Sequence, residues 1–191
     1  MPLTLFDHFS FLAPFYDRLI PPGSHQKLLD ALALSSQHRV LDVGGGTGRI
    51  AQIISGYVRQ VVVADISPGM LQEASRKNCF LLVNSPAEKL PFAAESFDRV
   101  VMVDALHHVA NQAKTAQEMW RVLKPGGWIV VEEPDIRTYP VKMIALGEKL
   151  MLMRSHFLTP DRIAGLFNFP LNVIDIDVEN DSARIKIKRC Q

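Results

Sequence analysis

Cysteine is nearly missing from this chain: Cys79 and Cys190 are the only two in 191 residues, far apart and without ligand-like spacing. That excludes a disulfide framework and a cysteine-built zinc knuckle, and it suits a reducing cytoplasm, the expected location. Long apolar runs are missing too; none reaches the roughly 18 residues of a membrane-spanning helix, so no integral membrane association is expected. The opening MPLTLFDHFSF lacks a basic stretch followed by an apolar core, which predicts no secretory signal. Nor is there an excess of one charge. The net charge of +1 provides no global field toward nucleic acid or acidic membranes, and neither is an expected partner. Repeats and low-complexity tracts are absent. What remains is 48% hydrophobic and 21% charged, the balance of one globular domain with a real core.

Strand and helix signals alternate along that domain. The apolar runs VLDV (40–43), VVVAD (61–65), CFLLVN (79–84), RVVMVD (99–104) and WIVVEE (128–133) are separated by amphipathic stretches. Ile50, Ile53, Ile54 and Tyr57 fall at helical spacing after the first run, and Ala116, Met119, Trp120 and Leu123 before the fifth. Ser67-Pro68-Gly69 opens a helix, and Pro125-Gly126-Gly127 ends one. Continuous apolar strands between helices indicate a mostly parallel sheet covered on both faces, a doubly wound α/β fold with ligands at the carboxyl ends of its strands. A Met- and Leu-rich helix (141–153) follows, then TPDRIAGLF with Thr159 as its cap, then the strands LNVIDIDV and ARIKIKR around an Asn180-Asp181 turn. Three parts of a single domain result: an N-terminal helical segment (1–37), a core (38–133), and acceptor-side helices with the final strands (134–191).

The segment VLDVGGGTGRIA poses the functional question, because its glycines satisfy two templates. Gly46-Thr47-Gly48-Arg49-Ile50-Ala51 fits the dinucleotide fingerprint, with Asp65 at a plausible distance for a ribose contact. Asp42 followed by Gly44, Gly46 and Gly48 fits a turn that grips an amino-acid tail instead. The acid before the loop would repel a pyrophosphate, whereas S-adenosylmethionine presents an ammonium that Asp42 can hold, directly or through water. Loop N–H groups and the following helix N-terminus would take its carboxylate.

VLDVGGGTG, VVVADISPGML, SPAEKLPFAAESFDRVV, VDALHHV and RVLKPGGWIVVEEPD stand in the order found in class I S-adenosylmethionine-dependent methyltransferases, which residues 38–133 resemble. FDHFSFLAPFYDRL resembles the segment preceding the core in ubiquinone- and menaquinone-pathway C-methyltransferases. The resemblance implies a Rossmann-like sheet of seven strands with the last antiparallel. It places Gly44, Gly45 and Gly46 against the methionine moiety, Asp65 on the ribose, and Ile66 and Met70 near the adenine face. It gives Ala87 a backbone N–H on the adenine edge, sets Asp104 facing the donor, and closes Tyr16 over the carboxylate. Pro86 departs from the family, which commonly has an acid there to accept from the adenine amino group; one hydrogen bond, net about 0.5–1.5 kcal/mol, is expected to be lost.

Other residues carry both a functional and a plain reading. Gly45 could simply relieve a tight turn, and Asp65 could cap the next helix. His107 and His108 follow the fourth strand where the transferable methyl would point; His108 is the candidate base, although either could be a packed or turn-capping histidine. Glu133, Asp135 and His156 are poorer candidates, and Asp98 reads as structural. The stripe Met143, Leu146, Leu150, Met151 and Met153 reads as core, or else as a lid for a lipophilic acceptor. Arg184, Lys186 and Lys188 read as a solvated edge that deters aggregation. No spacing points to a metal site. The expected activity is methyl transfer to a small molecule, with a quinol or phenol as the guess within it. A nicotinamide-dependent oxidoreductase and a catalytically inactive donor-binding subunit are the alternatives.

Overall fold

The computed structural model describes Ala13, residues 25–150 and residues 155–191, with Leu150 in its backbone alone. Seven strands form one sheet: β1 (Arg39–Val43), β2 (Gln60–Asp65), β3 (Leu81–Asn84), β4 (Phe97–Val103), β5 (Leu123–Pro134), β6 (Asn172–Glu179) and β7 (Ser182–Arg189). Their order is β3-β2-β1-β4-β5-β7-β6, parallel from β3 to β5. β7 runs antiparallel to both β5 and β6. This is the expected doubly wound sheet, with the reversal confined to the last strand.

Why these runs become interior strands follows from what each face meets. Along β1, Leu41 and Val43 enter one apolar cluster while Val40 enters the other, and β4 divides Val100 and Met102 from Val101 in the same way. A strand buried on both faces has no polar side to show, so its sequence is apolar throughout rather than alternating. One cluster is sealed by α4 (Gln112–Val122) and α6 (Pro160–Gly165), the other by α1 (Gln26–Leu32), α2 (Arg49–Ser55) and Leu71 of α3 (Pro68–Ser75). Ser67 caps α3 by accepting from the Met70 N–H at 3.4 Å, and Asn111 caps α4 by accepting from the Lys114 N–H at 2.9 Å.

Several sequence expectations are corrected. Arg184, Lys186 and Lys188 do not lie on an edge: β7 is paired on both sides, Arg184 bonds Glu132 and Asp177, and both lysines sit over the Trp128 ring. The edge belongs to β6. The helix α5 (Tyr139–Leu150) is not core along its methionine stripe, because Met143 and Leu146 are half exposed; Met151 and Met153 lie outside the described residues. Thr159 occupies the N-cap of α6 without a side-chain bond, its carbonyl accepting from the Ile163 N–H instead. LKPGG does end α4, but the chain passes straight into β5, making that strand longer than expected. Asp98 is structural, as expected, accepting from the Arg39 N–H and from Lys124 Nζ, each at 2.8 Å. Of the N-terminal helical segment, α1 is described. No helix among the described residues is long and apolar enough to cross a membrane.

Candidate active site

The sheet reverses its winding between β1 and β4, and at that point the carboxyl ends of four strands border one pocket of about 470 Å³. Such crevices are where doubly wound sheets bind ligands. Asp42, Gly44, Gly45 and Gly46 enter it from β1, Asp65 and Ile66 from β2, Pro86 and Ala87 after β3, and Asp104 and His108 after β4; Met70 joins from α3. Every predicted site residue except Tyr16 therefore borders one cavity; Tyr16 lies outside the described residues.

The glycines do different jobs. Gly44 and Gly46 adopt φ of +68° and +54°, the left-handed region that side chains disfavour. A Cβ on Gly44 would also lie 2.7 Å from the Ala105 Cβ. Gly45 is not in that region, so relief of a left-handed turn is not its role. Its Cβ would come within 2.6 Å of the Asp42 carboxylate, and its bare backbone is what lets that carboxylate pack beneath the loop.

Asp42 is buried, and its Oδ2 has no hydrogen-bond partner among the described residues. Burial, then the Asp65 charge, pushes its carboxyl up to about 7, against a smaller opposing pull from the Ala51 N–H and Arg49. Asp65 is held at both oxygens: Oδ2 accepts from the Gly46 N–H and Oδ1 from the Ser67 N–H, each at 2.8 Å. These bonds tie the first-strand loop to the end of β2 and fix the carboxylate's direction. The cap of α3 is Ser67, not Asp65. Asp104 has φ of +51°, unusual for a residue with a side chain, and its carboxylate lies 3.8 Å from Arg49. Burial and the Glu133 charge push it up to about 6, with His107 and Arg49 opposing. Three carboxylates thus surround the glycine loop.

Two features escape sequence reasoning. Ser85, immediately before the departing Pro86, is buried and lines the pocket with an Oγ that has no partner among the described residues. Glu133, a poorer candidate by position in the chain, organises the turn after β4: one carboxylate oxygen accepts from the Ala105 and Leu106 N–H groups at 2.8 and 2.7 Å, the other faces His107 Nδ1 at 2.5 Å. Burial lowers the His107 pKa, but the bond and charge of Glu133 outweigh it and the net shift is upward. His108 points differently. It lines the pocket, its Nδ1 lies 3.2 Å from Ser155 Oγ, and burial with the neighbouring His107 pushes it down to about 3. The 3-10 turn of Leu106–His108 gives the two histidines these separate surroundings.

Residues 41–131, which contain the loop, the acidic strand ends and this turn, match the family described as a methyltransferase domain. Through this domain the chain is similar to the class I S-adenosylmethionine-dependent methyltransferases. A ubiquinone/menaquinone biosynthesis C-methyltransferase UbiE of Coxiella burnetii is 40% identical over 110 residues, covering 52% of this chain and 44% of that protein. A demethylmenaquinone methyltransferase of Renibacterium salmoninarum is 35% identical over 151 residues, covering 75% and 64%. The chain spans about half the length of the curated relatives it matches first. In fold it superposes with a TM-score of 0.78 on an S-adenosylmethionine-dependent methyltransferase from Thermotoga maritima, at 20% identity, covering 95% of this chain and 97% of that one. The nicotinamide reading of the glycine loop gains no support from these methyltransferase relatives.

Proposed function

We propose that the pocket binds S-adenosylmethionine and that the chain transfers its methyl group to a small lipophilic acceptor of the hydroquinone class, in the cytoplasm. The observation that carries the donor reading is the buried, unpartnered Asp42 Oδ2 among the carboxylates of Asp65 and Asp104. An orphaned buried acid is costly unless a cation meets it, and a diphosphate would make the repulsion worse. A donor carrying an ammonium and a sulfonium relieves it.

The roles follow from position. Gly44, Gly45 and Gly46 keep the backbone bare beside the methionine moiety. Asp65, already aimed by two N–H groups, keeps acceptor capacity for the ribose hydroxyls. Ile66 and Met70 flank the adenine, and the Ala87 N–H meets its edge. Ser85 Oγ supplies an acceptor near the adenine amino group where Pro86 offers none, so the lost bond is replaced from one residue earlier. Asp104 faces the sulfonium side. The bound donor supplies an electrophilic methyl for in-line displacement; the protein's part is to align the acceptor and exclude water, and orientation of this kind is worth about 7–11 kcal/mol in favourable systems. His108, held neutral, is a weak base on the acceptor side of the pocket. The half-exposed apolar side chains of Met143, Ile144 and Leu146 on α5, together with the named activities of the relatives, favour a lipophilic acceptor.

Calorimetry with S-adenosylhomocysteine and with NADH tests the donor: the first is expected to bind and the second not, and binding of NADH alone overturns the proposal. Label from methyl-labelled donor is then expected in a lipid extract supplied with a demethylated hydroquinone. Donor binding without transfer to any extract component would return the chain to the class of donor-binding partner subunits.

A further inference from the structure

His107, His108 and Glu148 each place one donor atom within 4.8 Å of the others'. We infer that these three side chains form a binding site for a divalent transition metal of the zinc class, at the acceptor end of the pocket. Two histidines with one glutamate suit zinc and its neighbours and leave a position for an exogenous oxygen.

Three observations support the site beyond proximity. Glu148 Oε2 is buried and has no hydrogen-bond partner among the described residues. A carboxylate oxygen of a solvent-side helix has little reason to be buried unpaired, unless a cation meets it. His107 is oriented as a ligand would be: Glu133 holds its Nδ1, leaving Nε2 as the nitrogen to ligate, and the ring stacks on Phe157 at 4.3 Å between centroids. A carboxylate behind a ligating histidine fixes its tautomer and strengthens it as a ligand. His108 packs against His107 at 3.9 Å between ring centroids and also lines the pocket, so the metal would lie at the wall an acceptor oxygen reaches. The histidines come from the turn after β4 and Glu148 from α5, so filling the site would pin α5 against the pocket.

The test uses untagged, chelator-treated protein with neither methyl donor nor acceptor, so its outcome does not depend on the methyltransferase reading. Calorimetric titration with Zn²⁺ and visible absorption with Co²⁺ are expected to show one ion per chain, the cobalt with the d–d bands of a low-coordinate nitrogen and oxygen site. Glu148→Gln, an uncharged replacement of the same shape at a half-buried position, is expected to keep the wild-type circular dichroism and lower affinity at least tenfold. Glu133→Gln, which weakens the hold on His107, is expected to lower it about 10–100-fold. Absence of stoichiometric binding by the wild type, or equal affinity in Glu148→Gln, overturns the site.

Discussion

Asp42 titrates at about 7 in the folded protein against 3.8 ordinarily, so between those values the native state holds a proton that the unfolded chain has released. Its raised pKa therefore costs stability as pH rises through that window, by roughly 4 kcal/mol in all. Chemical denaturation of the free protein at pH 5 and pH 8 is expected to show this loss, and Asp42→Asn to flatten it; an unchanged slope in the variant would refute the assignment. Donor binding should then release a proton near pH 6.5, measurable as a calorimetric enthalpy that varies with the buffer's own. Asp65 joins Gly46 to Ser67, and facing the ribose is its proposed second task. Asp65→Ala is expected to weaken S-adenosylhomocysteine binding at least tenfold, and retention of wild-type affinity would remove Asp65 from the donor site.

At the scale of elements, the same substitution has opposite signs in two places. Gly44→Ala at the end of β1 forces a Cβ into the left-handed region, costing about 1–2 kcal/mol, before its 2.7 Å approach to Ala105 is counted. Gly147→Ala in α5 meets nothing within 4 Å and is expected to add about 0.5–1 kcal/mol. Thermal melts of the two variants check both signs. The contrast also marks what pattern reading can reach. The β1 loop is legible because a buried strand that runs into glycine at every second position has little use for them except a bare, sharply turned backbone. The role of Gly45 is not legible, because its reason is a neighbour's carboxylate, which spacing does not show. Nor is the exposure of the α5 stripe, since apolar residues at helical spacing say that one face is apolar, not whether anything covers it.

For the molecule as a whole, ligand linkage gives the simplest check. Saturation at one hundred times the dissociation constant stabilises by about 2.7 kcal/mol, which for a chain of this size corresponds to a rise of about 5–11 °C in melting temperature. S-adenosylhomocysteine is expected to produce such a rise in scanning calorimetry, and a melting temperature that does not respond to it would count against the pocket as a donor site. The response should be global, because the pocket takes residues from the ends of four strands and tightening it restrains the sheet's centre.

Residue order carried the alternation of buried strands and amphipathic helices and the acid-flanked glycine loop, through local periodicity and a motif whose chemistry lies within a few adjacent residues. The seven strands, the reversed last one and the residues proposed for the donor side, from Asp42 to Asp104, came through the resemblance of five ordered motifs to a known family. The tertiary structure decided what depends on distant partners: that β7 is interior and β6 the edge, that the Ser85 hydroxyl is buried and unmet among the described residues, and that Glu133 and Glu148 approach the histidine pair. Burial and charge coupling are properties of the assembled pocket, and a side chain's environment is set by segments that the sequence keeps far apart.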